Sequence, residues 1–357
     1  MAHRVRRLVR AGVVALLLAR ALAAAPAGAC GCGAYVPREG AARVGQERAL
    51  LRWDGRAEDL VLELSVEGRS AEAAWILPVP APATVRLADP RLFDALQELT
   101  RPQVRTERVR PGQAPAGGAP GGAPAVTLLA RQALGPFDVS TLAARDAGAL
   151  EDWLAANGYR LPAGLGEVLR AYVERGWYYV AARLLPGAGG QGLGGRLDPL
   201  WVSFASPELV YPMRPSALAR GALALELYVL AEHRVEAPRS FRPTPAEGPD
   251  RRLTLRYAGW VEPAALDPAS PHAPLVPRRL FLTRFELRIG TPATFADDFV
   301  LPVAAEDGTY RETEVRYVVE AGGGAARPWA LGGIALAAGV ALGAALAWRV
   351  RRRRPRG

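Results

Sequence analysis

Residues 329–348 (WALGGIALAAGVALGAALAW) are an uncharged run of 20 residues, and RVRRRRPR follows at once. At about 1.5 Å per residue a helix of that length reaches roughly 30 Å, the hydrocarbon thickness of a bilayer. Trp329 and Trp348 mark its two ends, where amphipathic rings favour the interface, and the arginine cluster puts the tail 349–357 in the cytoplasm by the positive-inside rule. A chain with such a segment is expected to hold its folded part on the other side of the membrane. A buried Ala/Gly-rich core helix is the competing reading, and it leaves the lopsided arginine cluster unexplained. Gly339 and Gly343 stand in G-x-x-x-G spacing, which permits close helix approach in lipid and a homodimer through that face. Gly322-Gly323-Gly324, apolar span and basic tail also have the layout of C-terminal sorting tails that are clipped.

The opposite end carries a second address. Residues 1–10 (MAHRVRRLVR) are positively charged, Ala11–Ala19 is a short apolar core, and Ala27-Gly28-Ala29 gives the small-x-small pattern of a cleavage point. Residues 1–29 read as a secretory signal, because the apolar core is too short to span. Cys30 then opens the mature chain. Acylation of Cys30 is the rival reading, weakened by Ala27 where a lipobox prefers Leu.

Both ends explain the net charge of +10. All 45 basic residues are arginine; five lie in residues 1–29 and six after Pro328, with no acid in either stretch. That leaves 34 arginines against 35 acids in residues 30–327. Nucleic-acid binding needs a basic face that neutralises phosphates, and this near-neutral ectodomain has no surplus for one.

Within 30–326 the patterning is mostly that of strands. Leu60, Leu62, Leu64 and Val66 alternate with Val61, Glu63 and Ser65, so that Arg48–Trp53 and Asp59–Glu67 predict a hairpin across Asp54-Gly55. A third strand, Glu72–Leu77, is expected to stop at Pro78 and Pro80. Asp89-Pro90 opens a helix with Leu92, Phe93, Leu96 and Leu99 on one face. Residues 111–124 read as a flexible linker or loop tip, and 187–195 as a Gly-rich loop. Between them come strands at Val126–Arg131 and Phe137–Leu142, a helix from Asp146 stopped at Asn157-Gly158, a helix carrying Leu165, Val168, Leu169, Tyr172 and Val173, and a strand Trp177–Leu184. Later strands are expected at Trp201–Ala205, Leu223–His233, Leu253–Tyr257, Leu280–Ile289, Phe299–Val303 and Val315–Glu320. Strands outnumber helices and the helices are grouped, which predicts an α+β ectodomain on mainly antiparallel sheet, followed by one transmembrane helix.

Several segments in order, Leu77-Pro78-Val79-Pro80, Asn157-Gly158-Tyr159, Gly176-Trp177, Leu209-Val210-Tyr211-Pro212-Met213-Arg214 and Leu227–Val235, resemble the bacterial family catalogued as domain of unknown function 2330. The resemblance covers roughly residues 30–235. It implies an exported protein, often with a C-terminal span, and supplies no catalytic residues.

Candidate chemistry is sparse. Cys30 and Cys32 are the only cysteines; two thiolates one residue apart can bind Cu(I) or cycle as a small-ring disulfide, against a static disulfide as the bland reading. His233 falls on the face of Leu225, Leu227, Val229 and Ala231, which places it at the edge of the core as a structural histidine or, on the sharper reading, the base of an unrecognised hydrolase near Arg234 or Arg214. His272 lies in an exposed Pro-rich loop, and Asp297-Asp298 and Glu306-Asp307-Gly308 do not match a calcium loop and read as turns. Trp177, Tyr178, Tyr179 and Trp201 are expected in the core, with a carbohydrate or peptide groove as the alternative. No cofactor is implied. The sequence therefore reads as an anchored extracytoplasmic module binding an envelope protein or glycan, with a copper- or redox-handling protein and a hydrolase as alternatives.

Overall fold

The computed structural model describes residues 33–38, 42–109, 131–134, 137–143, 152, 154–159, 164–185, 193–219, 222–238, 253–289 and 297–319. The expected signal segment 1–29, Cys30, Cys32, the expected linker 111–124 and the expected span 329–348 with its tail lie outside the described residues. Among the described residues no helix is long and apolar enough to cross a membrane. The chain divides into two units, one of residues 1–103 and 117–314, the other of 104–116 and 315–357.

The first unit is built on two sheets. The N-terminal strands are β1 (Ala34–Pro37), β2 (Arg43–Trp53), β3 (Ala57–Ser70), β4 (Ala73–Val79) and β5 (Thr84–Leu87), followed by helix α1 (Leu92–Leu99). After β6 (Gln103–Val109) come β7 (Arg131–Leu134), β8 (Phe137–Ala143), helix α2 (Leu165–Val173), β9 (Tyr178–Leu184), β10 (Leu193–Arg196), β11 (Leu200–Ala205) and β12 (Val210–Tyr211). A 3-10 turn at Arg214–Leu218 leads to β13 (Leu223–Ala231), β14 (Thr254–Val261), β15 (Leu280–Ile289), β16 (Phe299–Val300), β17 (Tyr310–Arg311) and β18 (Thr313–Val319). The smaller sheet runs β1-β4-β9-β8-β7, antiparallel throughout. The larger runs β17-β14-β15-β13-β2-β3-β11-β5, with β10 also on β3. Its pairings are antiparallel except β2 with β13, which lie parallel. A parallel pair needs no hairpin between its members, and far-separated segments meet here. β6 and β18 pair as a ribbon, most of which belongs to the second unit.

The hairpin β2–β3 forms as its pattern predicts, with Leu51 opposite Leu60 and Gly55 at φ +90° in the turn. The alternation has a different consequence from the one expected. Leu60, Leu62 and Leu64 join a core shared by both sheets and α2. Val61, on the reverse face, is equally buried, against Phe93 and Leu96 of α1, with Leu50, Tyr228 and Leu282 around them. α1 covers the second face, so a band of this sheet is apolar on both sides, bordered on the α1 side by the charged residues Arg48, Glu63, Glu226 and Arg284.

Several boundaries move for identifiable reasons. Pro78 does not end its strand: β4 continues to Val79. β1 pairs only with Ala73–Ile76, so at Pro78 the strand has a partner on one side alone, where a missing donor is tolerated. Residues 193–195, expected in a Gly-rich loop, belong to β10 on β3. The β13 strand ends at Ala231, two residues short of His233, because the chain bends at Glu232 and His233. Asp89 accepts from the Arg91 N–H at 2.8 Å as an N-cap would, although the regular helix begins at Leu92. Of the strand expected over 126–131, only Arg131 is described.

Candidate functional site

Helix α2 presents Leu165, Leu169 and Tyr172 to the core and ends at Val173; the turn after it closes at Gly176, whose φ of +71° is the left-handed conformation that glycine adopts without a Cβ penalty. The reversal returns the Trp177 N–H to the Tyr172 carbonyl at 3.0 Å. It also lays the indole against the Tyr172 ring, with centroids 5.1 Å apart. Trp177 is thereby placed on the wall of a cleft of about 530 Å³, lined also by Arg175, Glu208, Val210, Asp297, Asp298, Val300 and Pro302.

Asp298 holds this cleft together. Its side chain is 3% exposed. Oδ1 accepts from the Tyr172 hydroxyl at 2.5 Å and from the backbone N–H groups of Met213 at 2.9 Å and Arg214 at 3.1 Å, while Oδ2 pairs with Arg175 at 3.1 Å. One carboxylate therefore fastens the end of α2, the start of the 3-10 turn and the segment leading into β16. Buried charge–donor bonds of this kind are stronger than neutral ones, and they fix the relative positions of three walls. Asp297, by contrast, is exposed and pairs with Arg214 at 2.5 Å. The pair lies in irregular chain before β16, and what a turn reading misses is the role of Asp298, because its partners lie 84 to 126 residues away and leave no local spacing to detect.

The floor strand β12 is tied down from beneath. The Val210 N–H donates to Glu58 at 3.0 Å, and the Tyr211 hydroxyl donates to the fully buried Glu47. Burial pushes the Glu58 carboxyl well above the usual carboxylate range, with the Val210 N–H pulling the other way. β12 then pairs with β16, Val210 opposite Val300 and Tyr211 opposite Phe299. Phe299 goes inward and Val300 is left 42% exposed at the cleft. The result is an amphipathic site: the Trp177 indole with the Arg175 guanidinium 5.9 Å over its ring, two valines and a proline, with carboxylate groups around them.

The other sequence candidates fall elsewhere. His233 is exposed rather than at the core edge, and its Nδ1 lies 3.0 Å from Asp307. Asp307 also accepts from the Arg234 N–H at 2.8 Å, and Arg234 donates to the Gly308 carbonyl at 3.1 Å. The His233 bond, then the Arg234 N–H, hold the Asp307 carboxyl below its usual range. Residues 306–308 are thus one half of a clamp between two surface loops, not a free turn. His272 is buried instead of exposed, and burial pushes its imidazole down.

Of the four aromatic residues, Trp177 alone lines the cleft. Tyr179 is buried and donates to the Leu169 carbonyl at 2.8 Å; Trp201 packs in the core beneath α1 under the Arg86 guanidinium, 3.3 Å from the ring centre. Among the described residues no group of three or more His, Cys, Asp or Glu is placed to hold a metal ion, and Cys30 and Cys32 lie outside them.

A second, charged cleft of about 770 Å³ lies beside α1. There Arg256 bridges Glu286 and Glu312 and Arg284 pairs with Glu226 at 3.3 Å. Deeper on the same sheet face the largely buried Arg48 pairs with Glu63 at 2.5 Å and with Asp94 at 2.9 Å.

The residues that build the first cleft, from Arg175 to Pro302, fall within the 26–302 stretch matched by a family model described as an uncharacterized protein conserved in bacteria, DUF2330. The chain belongs to this family. The match extends well past residue 235, where the motifs that first suggested it end. No curated protein matches the chain. Among solved structures it is similar to the crystal structure of baculovirus P35, at 10% identity and a TM-score of 0.38, over 75% of this chain and 98% of that one. A likeness at that level carries no argument about function.

Proposed function

We propose that this chain is an exported, single-pass membrane protein whose extracytoplasmic part is a binding module, with the cleft beside Trp177 as its contact surface. The arginine excess at the two ends, each flanking an apolar stretch, supports the placement: positive charge beside a span stays in the cytoplasm, which leaves residues 30–326 outside. The cleft supports binding. Its size lies in the range of small-ligand sites, and such sites combine apolar walls with a few oriented polar groups. The single observation that carries the reading is Asp298, a buried carboxylate spent on holding three cleft walls in one arrangement. Preorganised walls lower the ordering cost of binding.

Two measurements test this. Protease added to spheroplasts should remove the ectodomain while a tag after residue 357 stays protected; a tag digested with it, or an ectodomain that survives until lysis, refutes the topology. Full-length protein in detergent should cosediment with its host's envelope fraction, and Trp177→Ala should abolish that; cosedimentation indifferent to Trp177 refutes the cleft.

A further inference from the structure

The chemistry of the cleft points to a ligand class. We propose that it binds an N-acetylated amino-sugar oligosaccharide, an inference that rests on the cleft being a binding site. A pyranose ring has one apolar face of C–H groups and an equator of hydroxyls. The first suits the indole of Trp177, which lines the cleft with Tyr172 against it and the Arg175 guanidinium 5.9 Å over its ring, so a sugar C–H face would take the place that Arg175 holds over the negative ring face. The second suits planar two-pronged groups, and the rim provides the guanidinium of Arg175 and the carboxylates of Glu208 and Asp297.

Arg175 and Arg214 are already paired with Asp298 and Asp297, which holds the rim groups in fixed orientations. Glu208 makes no ion pair among the described residues and is exposed, so its carboxylate can accept from a pair of vicinal hydroxyls. The lining holds one arginine, Arg175, against Glu208, Asp297 and Asp298, and Arg214 pairs with the two aspartates from outside it; this small acidic excess works against a polyanion and suits a ligand rich in hydroxyl donors. Val300, 42% exposed, and Pro302 form a second apolar patch, with the buried Val210 beside them. A plain hexose has no group for it, whereas an acetamido methyl does.

The same geometry disfavours a peptide. Peptides commonly bind clefts of this kind by adding a strand to a free edge, through a row of backbone bonds. The edge here is β16, two residues long. The Leu301 N–H that follows is spent on the Leu209 carbonyl, and Pro302 has no N–H to offer.

The test is calorimetric titration of the full-length protein, in a detergent without a sugar headgroup, with triacetylchitotriose. The expected result is saturable one-site binding, weakened about tenfold or more, at least ~1.4 kcal/mol, by Trp177→Ala and by Val300→Asp. Tyr310→Ala, at an exposed residue outside the cleft, should leave binding intact. Val300→Asp alters a surface side chain, so it reports on the cleft even if the Trp177 variant folds poorly. Cellotriose, with the same linkage and no acetamido groups, should bind markedly less.

No saturable binding by the folded protein, or binding untouched by both cleft variants, overturns the proposal. Equal affinity for cellotriose overturns the acetamido assignment, and saturable binding of a proline-rich peptide in place of the sugar overturns the ligand class. The two levels fail separately. Trp177-dependent envelope cosedimentation without sugar binding removes only the ligand class, whereas cosedimentation that ignores Trp177 removes the cleft itself.

Discussion

Replacing Asp298 by alanine takes one acceptor away from at least four donors at once. Two of these, the Tyr172 hydroxyl and the Met213 N–H, belong to residues with no measurable exposure, so water cannot readily replace the lost carboxylate. Leaving a buried donor without its acceptor costs about 1–3 kcal/mol. The Arg214 N–H and the Arg175 guanidinium, which is 43% exposed, can rehydrate and add little. The two buried donors together put Asp298→Ala at roughly 3–5 kcal/mol, the scale seen when one partner of a buried ion pair is removed.

Asp298→Asn is expected to be milder, about 1–2 kcal/mol. Its amide oxygen can still accept from Tyr172 and Met213, while the amide NH₂ faces Arg175 in place of a charge. Urea unfolding followed by tryptophan fluorescence measures both. An alanine variant within about 1 kcal/mol of wild type, or an asparagine variant as damaged as alanine, would show that the three walls do not depend on this carboxylate.

Other consequences can be checked in the same way. Arg48→Ala leaves Glu63, 1% exposed, without its main counter-charge and should cost about 3–5 kcal/mol, whereas the double change Arg48→Met with Glu63→Leu should come close to wild type, since apolar replacement of a buried pair is often neutral; equal damage in both would refute the pairing. Glu58 holds its proton in the folded state above the ordinary value of 4.5, so above that pH the unfolded chain releases a proton the folded chain keeps. Stability should therefore fall as pH rises from about 4.5 toward the folded value, and Glu58→Gln should flatten that decline in melting temperature against pH. Gly33 sits at φ +99° with a would-be Cβ 2.3 Å from the Ile76 carbonyl oxygen; Gly33→Ala should cost at least about 1–3 kcal/mol from backbone strain alone, read by thermal unfolding.

Much of the architecture was legible because it is local. A period of two in Leu60, Leu62 and Leu64 needs only neighbouring residues to specify a strand, and β15 runs from Leu280 to Ile289, the very span its pattern predicts. Glycine at 158 and 176 marks helix ends through its own backbone freedom, and both have positive φ. Charge bookkeeping at the two termini likewise requires no fold.

What remained hidden is what distant segments do to one another. Nothing near Val61 reveals that α1 will cover it, and nothing near Pro78 reveals that β1 stops short and leaves it a tolerant edge. Asp297 and Asp298 are adjacent and chemically identical, yet one lies in solvent and the other at the centre of the cleft. Composition and periodicity determined that this chain makes sheets, along with where its charges lie. Only the tertiary structure decided which carboxylate is buried, because burial depends on partners from α2, the 3-10 turn and β16 arriving together, and sequence spacing carries no record of that meeting.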